Sequence, residues 1–275
     1  MTSPIRALAI VTALLTAGLA VTACDSGSPD GGKRTVVAFT ADSPLSGEAL
    51  KQAAEQLRHR AELLGFKDPR VSTDGGTLSL SVAGAVDNRT EALTHQVVLE
   101  FRPVLATAPS ADSSSSTPSS AVPLPLRPQF QALDCTAPPR PADPSTATVA
   151  CSTATAQEPA LKLALGPVAV KGTDIAKSAA VFDDRSAKWG IDLTFTAAGA
   201  TDFTTLTTAL VTQPDPANQF AIVIDGAVAS HPAVMQTITG GQALITGSFT
   251  HDEAQTLAAQ LATPALPAGL HPATP

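Results

Sequence analysis

The spacing of apolar residues divides this chain into zones. Over residues 34–105, strand-like and helix-like periods alternate. Residues 35–40 read as a strand. Ser46 then offers a helix N-cap, and Leu50, Ala53, Ala54, Leu57, Ala61 and Leu64 recur at helical spacing until Gly65 ends the run. Residues 70–72 and 77–82 flank Thr73-Asp-Gly-Gly76, a hairpin signature. Asn88, three residues before Glu91, starts a short helix, and residues 96–102 close the zone as a strand. The order β-α-β-β-α-β is that of a ferredoxin-like unit, a sheet with two helices on one face.

A second ordered zone covers residues 161–262. Ile191, Leu193 and Phe195 alternate with polar neighbours, which predicts a half-buried strand. Phe203, Leu206 and Leu210 mark one side of a helix whose other side is threonine. Residues 220–224 are apolar throughout, as in a central strand covered on both faces. Asp225-Gly226 then signals a tight hairpin, with residues 227–230 returning beside it. Thr250-His-Asp-Glu253 is a capping box that opens a helix carrying Ala254, Leu257, Ala258 and Leu261 inward. Helices and strands mix without a regular βαβ beat, so the class is α+β.

The remaining residues lack such periods. Residues 106–160 are rich in Pro, Ser, Ala and Thr, include the run 113–120, and are expected to form a largely disordered insertion between the two zones. Residues 263–275 form a Pro-rich tail. At the other end, Arg6 precedes an apolar run of about seventeen residues, crowded with small side chains, as in a cleavable signal peptide over residues 1–23. Its last residues, Leu19-Ala-Val-Thr-Ala-Cys24, resemble the lipobox of bacterial lipoproteins, in which the cysteine receives lipid (palmitate among its acyl chains). Residues 24–33 then act as a flexible polar tether.

Charge and composition narrow the function. The net charge is −7, and removing residues 1–23 takes away one cation, Arg6, and leaves −8. An acidic surface argues against nucleic acid or anionic lipid as partners, so contact with a membrane is expected through the lipid anchor only. Tyrosine is absent and Trp189 is the single tryptophan, which disfavours stacking platforms for bases or sugars. Cys135 and Cys151 remain in the mature chain. An even count outside the cytoplasm predicts one disulfide, closing a loop of about sixteen residues and worth about 3 kcal/mol. No histidine lies between His95 and His231, so neither cysteine has a metal-site companion nearby, and no metal or cofactor is expected.

Candidate chemistry is sparse. His251-Asp252-Glu253 gathers three titratable groups, but consecutive helix residues point apart, and the capping role explains them. Asp183-Asp184-Arg185 reads as a solvated turn. His231 has no nucleophile motif beside it, and Gly240-Gly241 lacks the lysine and hydroxyl residue of a phosphate loop. Asn88-Arg-Thr90 matches a glycosylation sequon and equally serves as a helix cap. No catalytic residue is assigned and an enzyme is not expected.

Several segments taken together resemble the first extracytoplasmic domain of SecD, a subunit of the Sec protein-export machinery. For its base these are Ala54-Glu-Gln-Leu-Arg-His-Arg-Ala-Glu-Leu-Leu-Gly65, Asp68-Pro-Arg-Val71 and Val98-Leu-Glu-Phe-Arg102. For its head they are Ala221-Ile-Val-Ile-Asp-Gly-Ala-Val-Ala-Ser230, Pro232, Ile238-Thr-Gly-Gly241, Ile245-Thr-Gly-Ser-Phe-Thr250 and Glu253-Ala254. The resemblance implies a ferredoxin-like base over 34–105 and a head over 161–262. It also implies a non-catalytic module that contacts exported polypeptide or Sec translocon components. Nothing after Cys24 is apolar for long enough to span a bilayer, so the expectation is such a domain without the transmembrane bundle, lipid-anchored at the outer face of a bacterial membrane. Two other readings follow from the same residues: an envelope scaffold or ligand-binding lipoprotein unconnected with export, and an envelope hydrolase using His231 or the acidic cluster.

Overall fold

Alternating apolar residues start the fold with β1 (Arg34–Ala41), whose Phe39 is fully buried. The structure, a computed structural model, describes residues 33–87, 89–110, 121–152, 159–184, 187–263 and 266–273. α1 (Gly47–Leu63) follows, its first turn capped by the Ser46 hydroxyl, which accepts from the Ala49 amide. Ala53, Leu57, Ala61 and Leu64 recur at helical spacing and bury this face, and Gly65 stops the helix at φ +78°. β2 (Arg70–Asp74) and β3 (Thr77–Ala83) form the expected hairpin. Its turn needs positive φ at both central positions, which Gly75 and Gly76 supply at +54° and +89°. α2 (Arg89–Thr94) comes next, and Asp87 caps it through the Arg89 amide. Asn88, the cap expected from sequence, lies outside the described residues.

From there the chain leaves the base and returns to it only at its end. The order continues β4 (Leu99–Pro109), α3 (Arg127–Ala132), β5 (Thr148–Cys151), β6 (Leu161–Leu165) and β7 (Val170–Lys171). It goes on with β8 (Ile175–Asp183), β9 (Lys188–Phe195), α4 (Ala197–Leu210), β10 (Phe220–Ile224), β11 (Ala227–Ser230), β12 (Gln242–Phe249), α5 (His251–Leu261) and β13 (Leu270–Pro272). The base sheet has the order β13-β1-β3-β2, with every pair antiparallel. A ferredoxin-like order is therefore kept, but residues 270–272 supply its last strand in place of residues 96–102.

The displaced strand has a physical reason to be elsewhere. β4 is buried on both faces along its first half. Leu99 and Phe101 enter the head core, while Glu100 and Arg102, 6% and 0% exposed, point the other way as an ion pair at 2.8 Å. Arg102 also donates to the carbonyls of Asp143, Thr146 and Gly166. Such a strand needs cover on both faces and partners on both edges: the head core and the carbonyls around Arg102 cover its faces, and its edges are paired at the centre of β11-β10-β4-β6-β5, with β7 also paired to it. A parallel bridge between Ser152 and Val228 brings the β5 end to β11, so this sheet curls back on itself around Val104, Leu163, Leu165, Ala221, Val223 and Val228.

The insertion also departs from expectation. Among residues 106–160, the stretch 121–152 carries packed structure: Val122, Leu126 and Phe130 cover Ala106, Ala108 and Ala164. Cys135 and Cys151 are joined in a disulfide with a Cα–Cα distance of 5.5 Å. A few well-placed apolar side chains, a cross-link and the carbonyl bonds of Arg102 order a segment whose average composition is polar. Residues 111–120, with the whole of the run 113–120, and 153–158 lie outside the described residues.

The third sheet, β12-β9-β8, packs on the head core with α4 and α5. Phe101, Phe195, Phe203 and Phe220 meet there with ring centroids 4.9–6.1 Å apart. α5 belongs to both parts: Ala254, Leu257, Ala258 and Leu261 face the head core, and Ala259 faces the base core. Among the described residues, no helix is long and apolar enough to cross a membrane.

Candidate functional site

Two short connections join base and head, one following α2 and one following α5. Both are held by Arg60, an α1 residue only 1% exposed. Its guanidinium donates to the carbonyls of Leu93 and His95 and to the Thr263 hydroxyl, which in turn donates to Ala259. Burial lowers Arg60 to about 10, so it stays cationic at neutral pH. The head side of the first connection is held by Asp225, the φ +50° residue of the β10–β11 turn. Its amide donates to the Val98 carbonyl at 2.9 Å, and its carboxylate accepts from the Val98 amide at 2.8 Å and meets His95 Nε2 at 2.9 Å. The turn that sequence marks as a hairpin is thus also a clamp on the first residues of β4.

Between these pins lies a cleft of about 1290 Å³. α2, the β10–β11 hairpin, α5 and β13 line it. Apolar side chains such as Val97, Ile224, Leu257 and Leu270 contribute to its wall. Five acidic residues line it (Asp87, Glu91, Asp225, Asp252 and Glu253) together with one arginine, Arg89. Arg89 is committed to structure. It caps α1 by donating to the Leu64 carbonyl, lies 4.6 Å over the Phe66 ring, and binds Asp87. Its side-chain hydrogen bond to Asp87 holds that carboxyl below the usual carboxylate range and raises Arg89 above its own ordinary value. A cleft with apolar walls and an acidic rim favours a ligand with apolar and basic groups together, as in a segment of polypeptide.

The residues weighed from sequence do not converge. Glu253 turns back to the Thr250 amide in the capping box, and His251 stacks edgewise on Trp189 at 4.5 Å. Asp252, its side chain 93% exposed, lies 2.9 Å from the His251 ring. His231 Nδ1 is 3.0 Å from the Gln219 side-chain oxygen, and Gly241, at φ +65°, turns the chain into β12. Asp183 ends β8 opposite Lys188; Arg185 and Cys24 lie outside the described residues. Among the described residues no three His, Cys, Asp or Glu side chains come together as a metal-ligand group. Sequence reasoning missed Arg60 and the second role of Asp225. A lone arginine on the apolar side of a helix, at i+3 from Leu57, was the available signal for the first.

Comparison with known proteins places this geometry. Residues 149–268 match the family described as SecDF, P1 head subdomain. The SecD translocase subunit of Streptomyces coelicolor is 42% identical over 149 residues, 52% of this chain and 26% of that protein. The SecD subunit of Rhodobacter capsulatus is 26% identical over 225 residues, 80% of this chain and 34% of that protein. The chain therefore spans about a quarter to a third of these relatives' length. Among solved structures, SecDF in a super-membrane-facing form aligns over 88% of this chain and 30% of its own, with TM-score 0.56 and 25% identity. A second, titled as a membrane component SecDF that enhances protein export, aligns over 87% of this chain and 98% of its own, with TM-score 0.52 and 25% identity. The described residues are thus similar, base and head together, to the first extracytoplasmic domain of SecD and SecDF, with the likeness to the P1 head subdomain at residues 149–268.

Proposed function

We propose that this chain is a lipoprotein anchored at the outer face of the cell membrane through lipid on Cys24, and that its SecD-like domain is a non-catalytic module contacting exported polypeptide or Sec translocon components. The observation that carries the reading is the likeness to SecDF across base and head together, 87% of this chain and 98% of a structure described as enhancing protein export. The apolar, acid-rimmed cleft supports polypeptide as the ligand, because an unfolded segment presents apolar and basic side chains side by side. The export link and the partners belong to this proposal, since the relatives are much longer than the chain. Crosslinking in intact cells, with identification of the neighbours captured, tests it. Exported chains or translocon components among the neighbours support the reading, and a survey that captures neither sinks it. Cys24→Ala should shift the protein out of the membrane fraction.

A further inference from the structure

Sheet edges expose unpaired backbone groups, and proteins blunt them with charge, proline, bulges or brevity. Most edges in the described structure follow this rule. β2 carries Arg70 and Asp74, and β13 is three residues long and ends in Pro272. β5 is closed onto β11 by the Ser152–Val228 bridge, and β12 has a register break between Thr246 and Phe249. β8 differs. It is nine residues long, its register shift is confined to Ile175/Lys177, and residues 178–182 contain neither charge nor proline. Among the described residues, no backbone hydrogen bond joins residues 176–182 to anything other than β9. Phe182, at the end of this stretch, is 48% exposed.

We propose that β8 pairs with the β8 of a second copy of this chain, antiparallel about a two-fold axis at Ala180. One register satisfies both charge and size. Ser178, Ala180 and Phe182 share the face of Leu193, Ile191 and Trp189, while Lys177, Ala179, Val181 and Asp183 share the other. With Ala180 opposite its own copy, Lys177 of each chain faces Asp183 of the other, on the same face of the sheet. Asp183 lies opposite Lys188 in its own sheet, so the second copy's Lys177 flanks that carboxylate from the other side. On the opposite face the bulky, exposed Phe182 meets Ser178, a small residue, and Ala180 meets Ala180. Shifting the register by two residues in either direction puts Lys177 opposite Val181 or Asp183 opposite Ala179, and the charge pairing is lost. Pairing in this way satisfies the open edge of both copies and makes a continuous six-stranded sheet.

The test uses the full-length chain in membranes. Directly opposed residues of an antiparallel pair have Cα atoms about 4.5–5.5 Å apart, within disulfide range. Ala180→Cys should give a covalent dimer under mild oxidation. In the same register the two copies of residue 176 are offset by about 27 Å, so Ala176→Cys should give none. Adding Lys177→Glu to the Ala180→Cys chain should lower the dimer yield about fivefold, because like charges then face each other twice, and adding Asp183→Lys as well should restore it. Equal crosslinking at 176 and 180, or no dimer at 180, overturns the proposal. So do adducts of the Ala180→Cys chain with other polypeptides in place of its own copy, which would assign the edge to a foreign strand. The unaltered chain, purified in detergent, gives a check free of substitutions. Light scattering should report a dimer, and a monomer at every concentration contradicts it.

Discussion

β3 and β4 are the central strands of their sheets, and they are built on opposite principles. β3 takes β2 from across a two-glycine turn and β1 from the strand before α1, so everything it needs is written within residues 34–83. Its residues alternate cleanly, with Leu78, Leu80 and Val82 buried between half-buried polar neighbours. β4 takes β6, β7 and β10, the last of them more than a hundred residues away. Its polar residues are not a solvent face but a buried pair that ties in the insertion. β3 is thus placed by local pattern, and β4 by a few long-range polar contacts that a local pattern misrepresents.

The difference shows in how each strand fails. Arg102→Ala should have the largest effect, a loss of about 4 kcal/mol, because it leaves the Glu100 carboxylate buried without its partner and strips the donor from three carbonyls. Urea unfolding measures this, and replacing both Glu100 and Arg102 with methionine should recover much of the loss. Next comes the double change Cys135→Ser/Cys151→Ser, expected to cost about 3 kcal/mol. Hydrogen exchange should show the loss in α3 and β5 while β1–β3 stay protected. On the base side, Gly76→Ala forces an L-residue into φ +89° and should cost about 1 kcal/mol, with no change in exchange at β4.

Acid should act least and on both parts. Asp68 lies below its ordinary value of 3.8 because Arg34, then Arg70, donates to it. Asp134 and Asp143 are lowered in the insertion, first by the side chains of Thr136 and Ser145 and then by their amides. A carboxyl with a lowered folded value contributes stability above its unfolded value and loses it as pH falls through the folded one, so the loss is confined to below about pH 4. All three are surface groups, so unfolding midpoints at pH 5 and pH 3 should differ only slightly from this cause.

Much of the architecture is legible from sequence. α1, the β2–β3 hairpin, α4, the Asp225-Gly226 turn and the α5 capping box follow from caps, glycines and apolar spacing over a few residues. β13 was hidden because three residues ending in proline carry no strand period. β4 was misplaced because Glu100 and Arg102 look like exposed positions until their partners are known. The insertion was misread because average composition says nothing about where Val122, Leu126 and Phe130 fall. The cleft was equally hidden, since its acidic residues come from three separate segments and Arg60 works through carbonyls rather than through any motif.

That cleft joins the fold to the proposed function, so it is the place to measure. A photo-crosslinking residue at Thr256, on the α5 wall of the cleft, can be compared in cells with one at Asp74, on the β2–β3 turn. Adducts with exported polypeptide or translocon components should form from position 256 and be scarce from position 74. Equal adducts from both positions, or none from the cleft while the chain is folded at the membrane, would contradict a partner-binding role for this base-and-head unit.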